Sequence, residues 1–373
     1  MKFNVSGKTF QNQLQTVSKV IKAKNALSVL DNFLLQVEGD RLSITGSDQE
    51  NTLTAYMEIT DSDSDGQIAV PAKRLLEVIK ELGNQPLEID VNDSNKEINI
   101  SFLNGHFTFM GVDAADYPLA RKPEADAKTL ILPASVVQSG IDNTLFAVSN
   151  DPVKAYMNGV CWDITQEKIT FVGTDGHKLA RYINTVYPPQ IESLFILPSK
   201  SAALISGLIG KEEGDIKITF DTKGAIFEIG DNILNCLFIQ AKYPNYNRVI
   251  PENTPFGMTI DRQTMLAALR RMAIFASMES SLVVLKIDSN GIKIDARDLM
   301  SSNSAEEFVA CDYDGNPMTI GFNGEYMIDV LNTMKDDTVE IRLADPARPA
   351  VYTPLEQKEN ENFTVIQMPM QVL

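Results

Sequence analysis

Two segments bring together residue types that bind metals or move protons. Asp61-Ser62-Asp63-Ser64-Asp65-Gly66 alternates carboxylates ahead of a glycine, as a calcium-binding loop begins. Such a loop needs a bidentate glutamate at its twelfth position, where Ala72 stands, and residues 68–71 read as a strand rather than an entering helix. Asp175-Gly176-His177 sets a carboxylate beside an imidazole, but Asp-Gly is first a turn signal, and no Gly-x-Ser-x-Gly elbow supplies a nucleophile. His106 and His177 are the only histidines, which leaves little material for acid–base work near neutral pH. There is no Walker loop or Gly-x-Gly-x-x-Gly, and spacing singles out no glycosidase-type pair among the 50 Asp and Glu residues. Cys161, Cys236 and Cys311 lie far apart without the spacing of zinc or redox sites, and are expected as buried free thiols. The residues predict a non-enzyme with no metal and no cofactor.

The elements that position these segments recur three times. A helical run, a strand pair, a second helical run and another strand pair begin near Phe3, Leu130 and Phe256. The first runs cover residues 9–21, 134–148 and 262–275, and the second cover 72–82, 199–209 and 324–334. A period of about 125 residues is too long for a solenoid unit, so each copy is expected to be a domain with its own core: 1–125, 126–252 and 253–373. Alternation and turn residues predict hairpins at 34–37 with 42–45, 169–172 with 178–183 and 282–287 with 292–296, and further pairs at 87–91 with 97–102 and 216–220 with 225–229. Helices packed on antiparallel sheets make an α+β class.

A chain of 373 residues, 44% hydrophobic, can bury several cores. No apolar run approaches the roughly 20 residues of a membrane helix, and the first ten residues lack a secretion signal. A cytoplasmic protein with no membrane partner is expected.

The net charge of −17 argues at first against nucleic acid. Its distribution argues otherwise. In the first helix Phe10, Leu14, Val17 and Ile21 form one stripe, with Lys8, Gln15, Lys19 and Lys22 opposite; in the second Leu75, Val78, Ile79 and Leu82 face away from Lys73 and Lys80. The 262–275 run packs through Met265, Leu266, Leu269 and Met272 and leaves Arg270 and Arg271 outward, whereas 134–148 is nearly neutral and 324–334 shows Glu325 and Asp329. Acidic residues crowd the turns instead, at 61–65, 93, 212–215, 312–314, 336–337 and 356–361. If the helices share one side, that side is the less acidic one.

Several ordered motifs carry a family resemblance. Thr174-Asp175-Gly176-His177-Lys178-Leu179-Ala180, Tyr243-Pro244-Asn245-Tyr246-Asn247-Arg248-Val249-Ile250-Pro251, Ala115-Asp116-Tyr117-Pro118, Gly321-Phe322-Asn323-Gly324-Glu325-Tyr326 and Met368-Pro369-Met370 resemble the bacterial DNA sliding clamps, the beta subunits of DNA polymerase III, and the likeness runs end to end. It implies the DNA-clamp fold: three similar domains, each with two helices packed on antiparallel sheets, and a head-to-tail dimeric ring around duplex DNA. Spacing supports a second copy. Six helices about 10 Å apart make a circle only about 19 Å across, or about 9 Å clear, whereas twelve leave about 28 Å, enough for a duplex.

The resemblance also implies roles. Lys8, Lys19, Lys22, Lys24, Lys73, Lys80, Lys154, Lys200, Arg270 and Arg271 would meet phosphates loosely and without sequence preference, Lys24 standing where an Arg is common. Phe107 and Phe109 would face the partner's Ile274 and Phe275. Met157, Thr174, Gly176, His177, Lys178, Leu179, Pro244, Arg248, Val249, Asn323, Tyr326, Ile366, Met368, Pro369 and Met370 would wall a pocket. It would take a short peptide with a Gln and a Leu/Phe pair from the replicative polymerase, the clamp loader, other polymerases and repair proteins. Lys178 replaces an Arg of the common pattern, Ser280 an aromatic, and the end reads Gln371-Val372-Leu373. A repeat scaffold that binds proteins without DNA is the alternative reading.

Overall fold

A computed structural model describes residues 1–25, 27–210, 214–298 and 300–372. Glu212, Glu213 and Leu373, used above in a charge run and a terminal motif, lie outside them. The described residues form four antiparallel sheets and six α-helices: α1 (Gly7–Ser18), α2 (Ala72–Leu82), α3 (Ala134–Asp142), α4 (Ser199–Ile209), α5 (Arg262–Ala273) and α6 (Gly324–Thr333). The chain separates into two compact units, Met1–Ser135 with Leu204–Phe238, and Val136–Ala203 with Ile239–Leu373.

The first unit holds an eight-stranded sheet, in the order Gly66–Pro71, Asn32–Glu38, Arg41–Ser47, Asn51–Glu58, Asn232–Leu237, Gly224–Ile229, Asp215–Phe220, Lys128–Pro133. Its middle joins two repeats, because Asn51–Glu58 pairs with Asn232–Leu237 from Cys236 opposite Asn51 to Asn232 opposite Ala55. A four-stranded sheet (Lys2–Ser6, Pro86–Asn92, Glu97–Phe102, Gly105–Met110) completes the unit. Helix α1 packs on Asn51–Glu58, Arg41–Ser47 and Lys2–Ser6, and against α2. Phe10, Leu14 and Val17 are buried there, and Leu75 and Ile79 of α2 are buried with Lys73 and Lys80 outward, as amphipathic spacing requires.

The second unit repeats the scheme. Its nine-stranded sheet joins repeats by pairing Lys178–Asn184 with Glu361–Gln367, in register from Lys178 opposite Gln367 to Asn184 opposite Glu361. A four-stranded sheet runs Asn303–Val309, Gly291–Asp298, Leu282–Asp288, Met318–Asn323. Asp261 caps α5 by accepting from Thr264 N at 2.7 Å, and Asn323 caps α6 by accepting from Tyr326 N at 3.0 Å.

The expected hairpins are all present. Two helices differ. Helix α1 ends at Ser18, three residues early, so Ile21 lies beyond it. Helix α3 ends at Asp142 and gives way to a 3-10 turn, Leu145–Ala147. There the chain turns inward: Thr144 Oγ1 donates to Gly140 O at 2.6 Å, and a Cβ on Gly173 would lie 2.1 Å from Thr144 O. Cys161 and Cys236 are buried, Cys311 is half-buried, and all three are free. No helix among the described residues is long and apolar enough to cross a membrane.

The segment after the first repeat is tied to the second by one carboxylate. Asp221, its side chain 1% exposed, pairs with Arg121. It also accepts from the N–H groups of Glu124 (2.9 Å), Lys223 (2.8 Å) and Gly224 (3.2 Å). Burial alone would raise its pKa, but these donors hold it at about 2, below the ordinary 3.8. Its contribution is therefore complete at neutral pH and is lost as pH falls toward 2. Asp221→Asn should lower stability by about 2 kcal/mol in urea unfolding at neutral pH, with the gap to wild type closing as pH is lowered through that window.

Candidate functional site

The hairpin turn at 174–178 is organised by its own side chains. Thr174 Oγ1 donates to Lys178 O at 2.8 Å and accepts from Gly176 N at 3.1 Å; Asp175 Oδ1 accepts from His177 N and Lys178 N, both at 2.8 Å. Gly176 sits at φ 92°, which only a residue without Cβ adopts freely. The Asp175–His177 pair is thus a turn device and not a proton relay. The C-terminal strand is fastened beside this turn, with Met368 N donating to His177 O and Met370 N to Gly321 O, each at 2.8 Å.

A third wall comes from the segment after the second repeat. Tyr243 donates its hydroxyl to Val172 O at 3.2 Å, and Tyr246 to Asp163 Oδ2 at 2.7 Å. The 3-10 turn Tyr246–Val249 then lies over a floor that includes Cys161, Val172, Leu179, Ile196, Val351 and Ile366. Between the walls is a groove of about 490 Å³, open to solvent. It is lined by Met157, Thr174, Gly176, His177, Lys178, Leu179, Pro244, Val249, Ile366 and Met368, all expected, and by Asn245 and Tyr246, which were not. Both belong to the Tyr243–Pro251 motif, so the signal was present in the sequence. Apolar walls with few polar groups suit an extended peptide held by side-chain insertion.

Five expected residues stand outside the lining. Arg248 is exposed on the same turn, while Pro369 and Met370 continue the strand past the groove. Asn323 is occupied in capping α6, and its amide donates to Ser280 O at 3.1 Å. Tyr326 supports the wall from behind, its ring 4.0 Å from the Lys178 ammonium and 6.2 Å from the His177 ring.

Lys178 differs most from expectation. It is 6% exposed, with its ammonium 2.9 Å from Asp175 and 3.8 Å from Asp329. Its charge is spent internally and shapes the wall without being offered to a ligand. Asp329, absent from the expected set, has its pKa raised by burial and by Glu325 and Asp175, against the lowering effect of Lys178. Burial and the carboxylates Asp175, Glu325 and Asp329 also raise the Tyr326 hydroxyl.

The basic residues fall into three groups. Lys8, Lys19, Lys24, Lys73 and Lys80 are exposed and, among the described residues, form no ion pair. Lys22, Arg270 and Arg271 are partly engaged: Lys22 with Asp48 (3.5 Å) and Glu50 (3.8 Å), Arg270 with Asn332 (3.0 Å), and Arg271 with Glu307. Lys154 and Lys200 are half-buried, and the Lys154 ammonium lies 3.8 Å from where a Gly176 Cβ would be, at the groove. The Asp61–Asp65 segment is occupied as well, since Asp61 accepts from Asn4 Nδ2, Asp63 from Lys2 N and Asp65 from Gly39 N.

Gly105–Met110 and Asn303–Val309 each end a four-stranded sheet and so present an outer edge. On the first, Phe107 stacks on Phe102 at 4.9 Å, and Phe109 is 6% exposed and packed within its own domain. At the end of α5, Ile274 is 77% exposed and Phe275 38%. These two are the available apolar side chains of that set.

Family models of the DNA polymerase III beta subunit match along the chain: the N-terminal domain at residues 1–121, the central domain at 131–245 and the C-terminal domain at 247–371. The beta sliding clamp of Pseudomonas putida is 28% identical over 373 residues, covering 100% of both chains. That of Escherichia coli K12 is 26% identical over 372 residues, with the same coverage. A crystal structure of the Pseudomonas aeruginosa sliding clamp bound to griselimycin superposes with a TM-score of 0.93 at 27% identity, covering 100% of each chain.

Removing the Lys178 charge tests the wall. Lys178→Met should move the titration midpoint of Asp329 upward in carboxyl-detected NMR, because the one cation opposing its protonation is gone. An unmoved midpoint would mean that the ammonium does not reach it.

Proposed function

The chain belongs to the DNA polymerase III beta subunit family, and we propose that two copies close head to tail around duplex DNA, slide on it without reading sequence, and tether polymerases, the clamp loader and repair proteins. The observation that carries the tethering is the groove at 174–179, 244–249 and 366–368, whose lining coincides with most of the expected peptide contacts. The chain is a sliding clamp, a non-catalytic part of the polymerase, so retention comes from topology and not from affinity. Domains at 1–125, 126–252 and 253–373 and a cytoplasmic location belong to the same reading.

On this reading Lys8, Lys19, Lys24, Lys73 and Lys80 meet phosphates as mobile point charges, which gives contacts weak enough to slide. Arg270 and Arg271 exchange their amide or carboxylate partners for phosphate at a small cost, since exposed pairs are worth about 1 kcal/mol or less, whereas Lys22 is held by the buried Asp48 and is less free to do so. Acidic turns elsewhere repel the duplex from unproductive surfaces.

Closure joins the outer edge of Gly105–Met110 to that of Asn303–Val309 in the other copy, with Phe107 against Ile274 and Phe275. An exposed edge with a nearby apolar patch is a template for such pairing, and a heterologous contact can close after two copies. Ile274→Ala/Phe275→Ala should halve the mass in sedimentation, since truncating two such side chains removes about 3 kcal/mol or more. An unchanged mass would refute the interface.

The decisive test of the ring is retention. Once loaded, the protein should stay on circular DNA through gel filtration and fall off the same DNA after a single double-strand cut. Equal retention on both forms would favour gripping over encirclement, and no retention on either would favour the DNA-independent scaffold.

A further inference from the structure

The turn that walls the groove recurs one repeat earlier. Ser47-Asp48-Gln49-Glu50-Asn51 stands where Thr174-Asp175-Gly176-His177-Lys178 stands, and each leads into the strand that pairs with the next repeat, Asn51 opposite Cys236 and Lys178 opposite Gln367. The hydrogen bonds that close the two turns correspond. Ser47 Oγ donates to Asn51 O at 3.1 Å and accepts from Gln49 N at 3.2 Å, as Thr174 Oγ1 does with Lys178 O and Gly176 N. Asp48 Oδ1 accepts from Glu50 N and Asn51 N at 3.1 and 2.7 Å, as Asp175 does from His177 and Lys178. Gln49 adopts φ 77° in the place of Gly176 at 92°. Leu237 N donates to Glu50 O at 3.0 Å, as Met368 N does to His177 O. Tyr117 donates to Thr45 O at 3.3 Å, as Tyr243 does to Val172 O, and each tyrosine precedes a proline.

Beside the Ser47–Asn51 turn lies a larger groove, about 820 Å³ against about 490 Å³ at the later turn, whose lining includes Leu27, Glu50, Pro118, Leu119 and Leu237. Its leucines are held open: Leu119 is 92% exposed, Leu27 46%, and Leu237 39%, the last matching Met368 at 40%. Covering one such side chain is worth about 1.5–3 kcal/mol. The charge differs from the later groove at one lining position. Glu50, its side chain 67% exposed, stands where His177 stands, with the Lys22 ammonium 3.8 Å from it and Arg121 engaged by Asp221.

We propose that this groove is a second docking site, for a short extended peptide that carries leucine-type side chains beside a lysine or arginine. The inference extends the peptide reading of the later groove, and its test separates the two. Full-length protein is titrated with acetyl-Gln-Leu-Ser-Leu-Phe and with acetyl-Gln-Leu-Lys-Leu-Phe, followed by fluorescence anisotropy and native mass spectrometry. The serine peptide should saturate at one per chain and be lost in Met368→Glu. The lysine peptide should reach two per chain and keep one in Met368→Glu. That remaining site should vanish on adding Leu119→Glu, a fully surface change, and weaken about threefold or more in Glu50→Lys.

A lysine peptide that never exceeds one per chain, or residual binding indifferent to Leu119→Glu, would overturn the proposal. So would a wild-type assembly heavier than two chains that Leu119→Glu alone dissolves, which would assign the groove to another copy of the protein. Leu119-dependent binding of the lysine peptide without any binding of the serine peptide would uphold this site while removing the reading of the later one.

Discussion

Main-chain pairing across repeat boundaries is the constraint on which the architecture depends. Asn51–Glu58 takes Asn232–Leu237 as its neighbour, and Lys178–Asn184 takes Glu361–Gln367, so a strand that would end each repeat's sheet is hydrogen-bonded to the following repeat. Unpaired backbone groups at an internal edge would be costly, and satisfying them fixes each junction in both register and direction. The grooves lie beside these junctions because the turn that starts one strand meets the chain leaving the other, as Met368 meets His177 and Leu237 meets Glu50. The same pairing explains why compactness divides the chain into two units while sequence periodicity divides it into three.

How much was legible follows from how local each feature is. Helices α2 and α4 matched their expected limits, and in α2 the reason is a clear apolar stripe, which needs only residues three and four apart. The end of α3 did not, since it is set by Thr144 packing against Gly173, a contact far away in sequence. The groove was legible through motifs, and its lining reproduced most of them. What no motif contained was the fate of the Lys178 ammonium: sequence places a cation in the wall, whereas only the fold brings Asp329 and the Tyr326 ring to it.

Charge shows the same division. Amphipathic spacing identified exposed lysines on α1 and α2, and they are exposed. It could not foresee that Lys22 would face a buried Asp48, or that Arg271 would pair with Glu307 across to the neighbouring strand. Such pairs lower the number of cations ready for a polyanion without altering formal charge, so the less acidic side is defined by partnering as much as by composition.

The internally balanced Lys178 has a consequence for traffic at the groove. A wall whose ionic demands are already met discriminates by contour and apolar volume, and so ranks incoming segments only coarsely. On the proposed tethering role, proteins with similar short tails would compete on nearly equal terms, with occupancy set by local abundance and residence time. Succession between them would become a matter of supply.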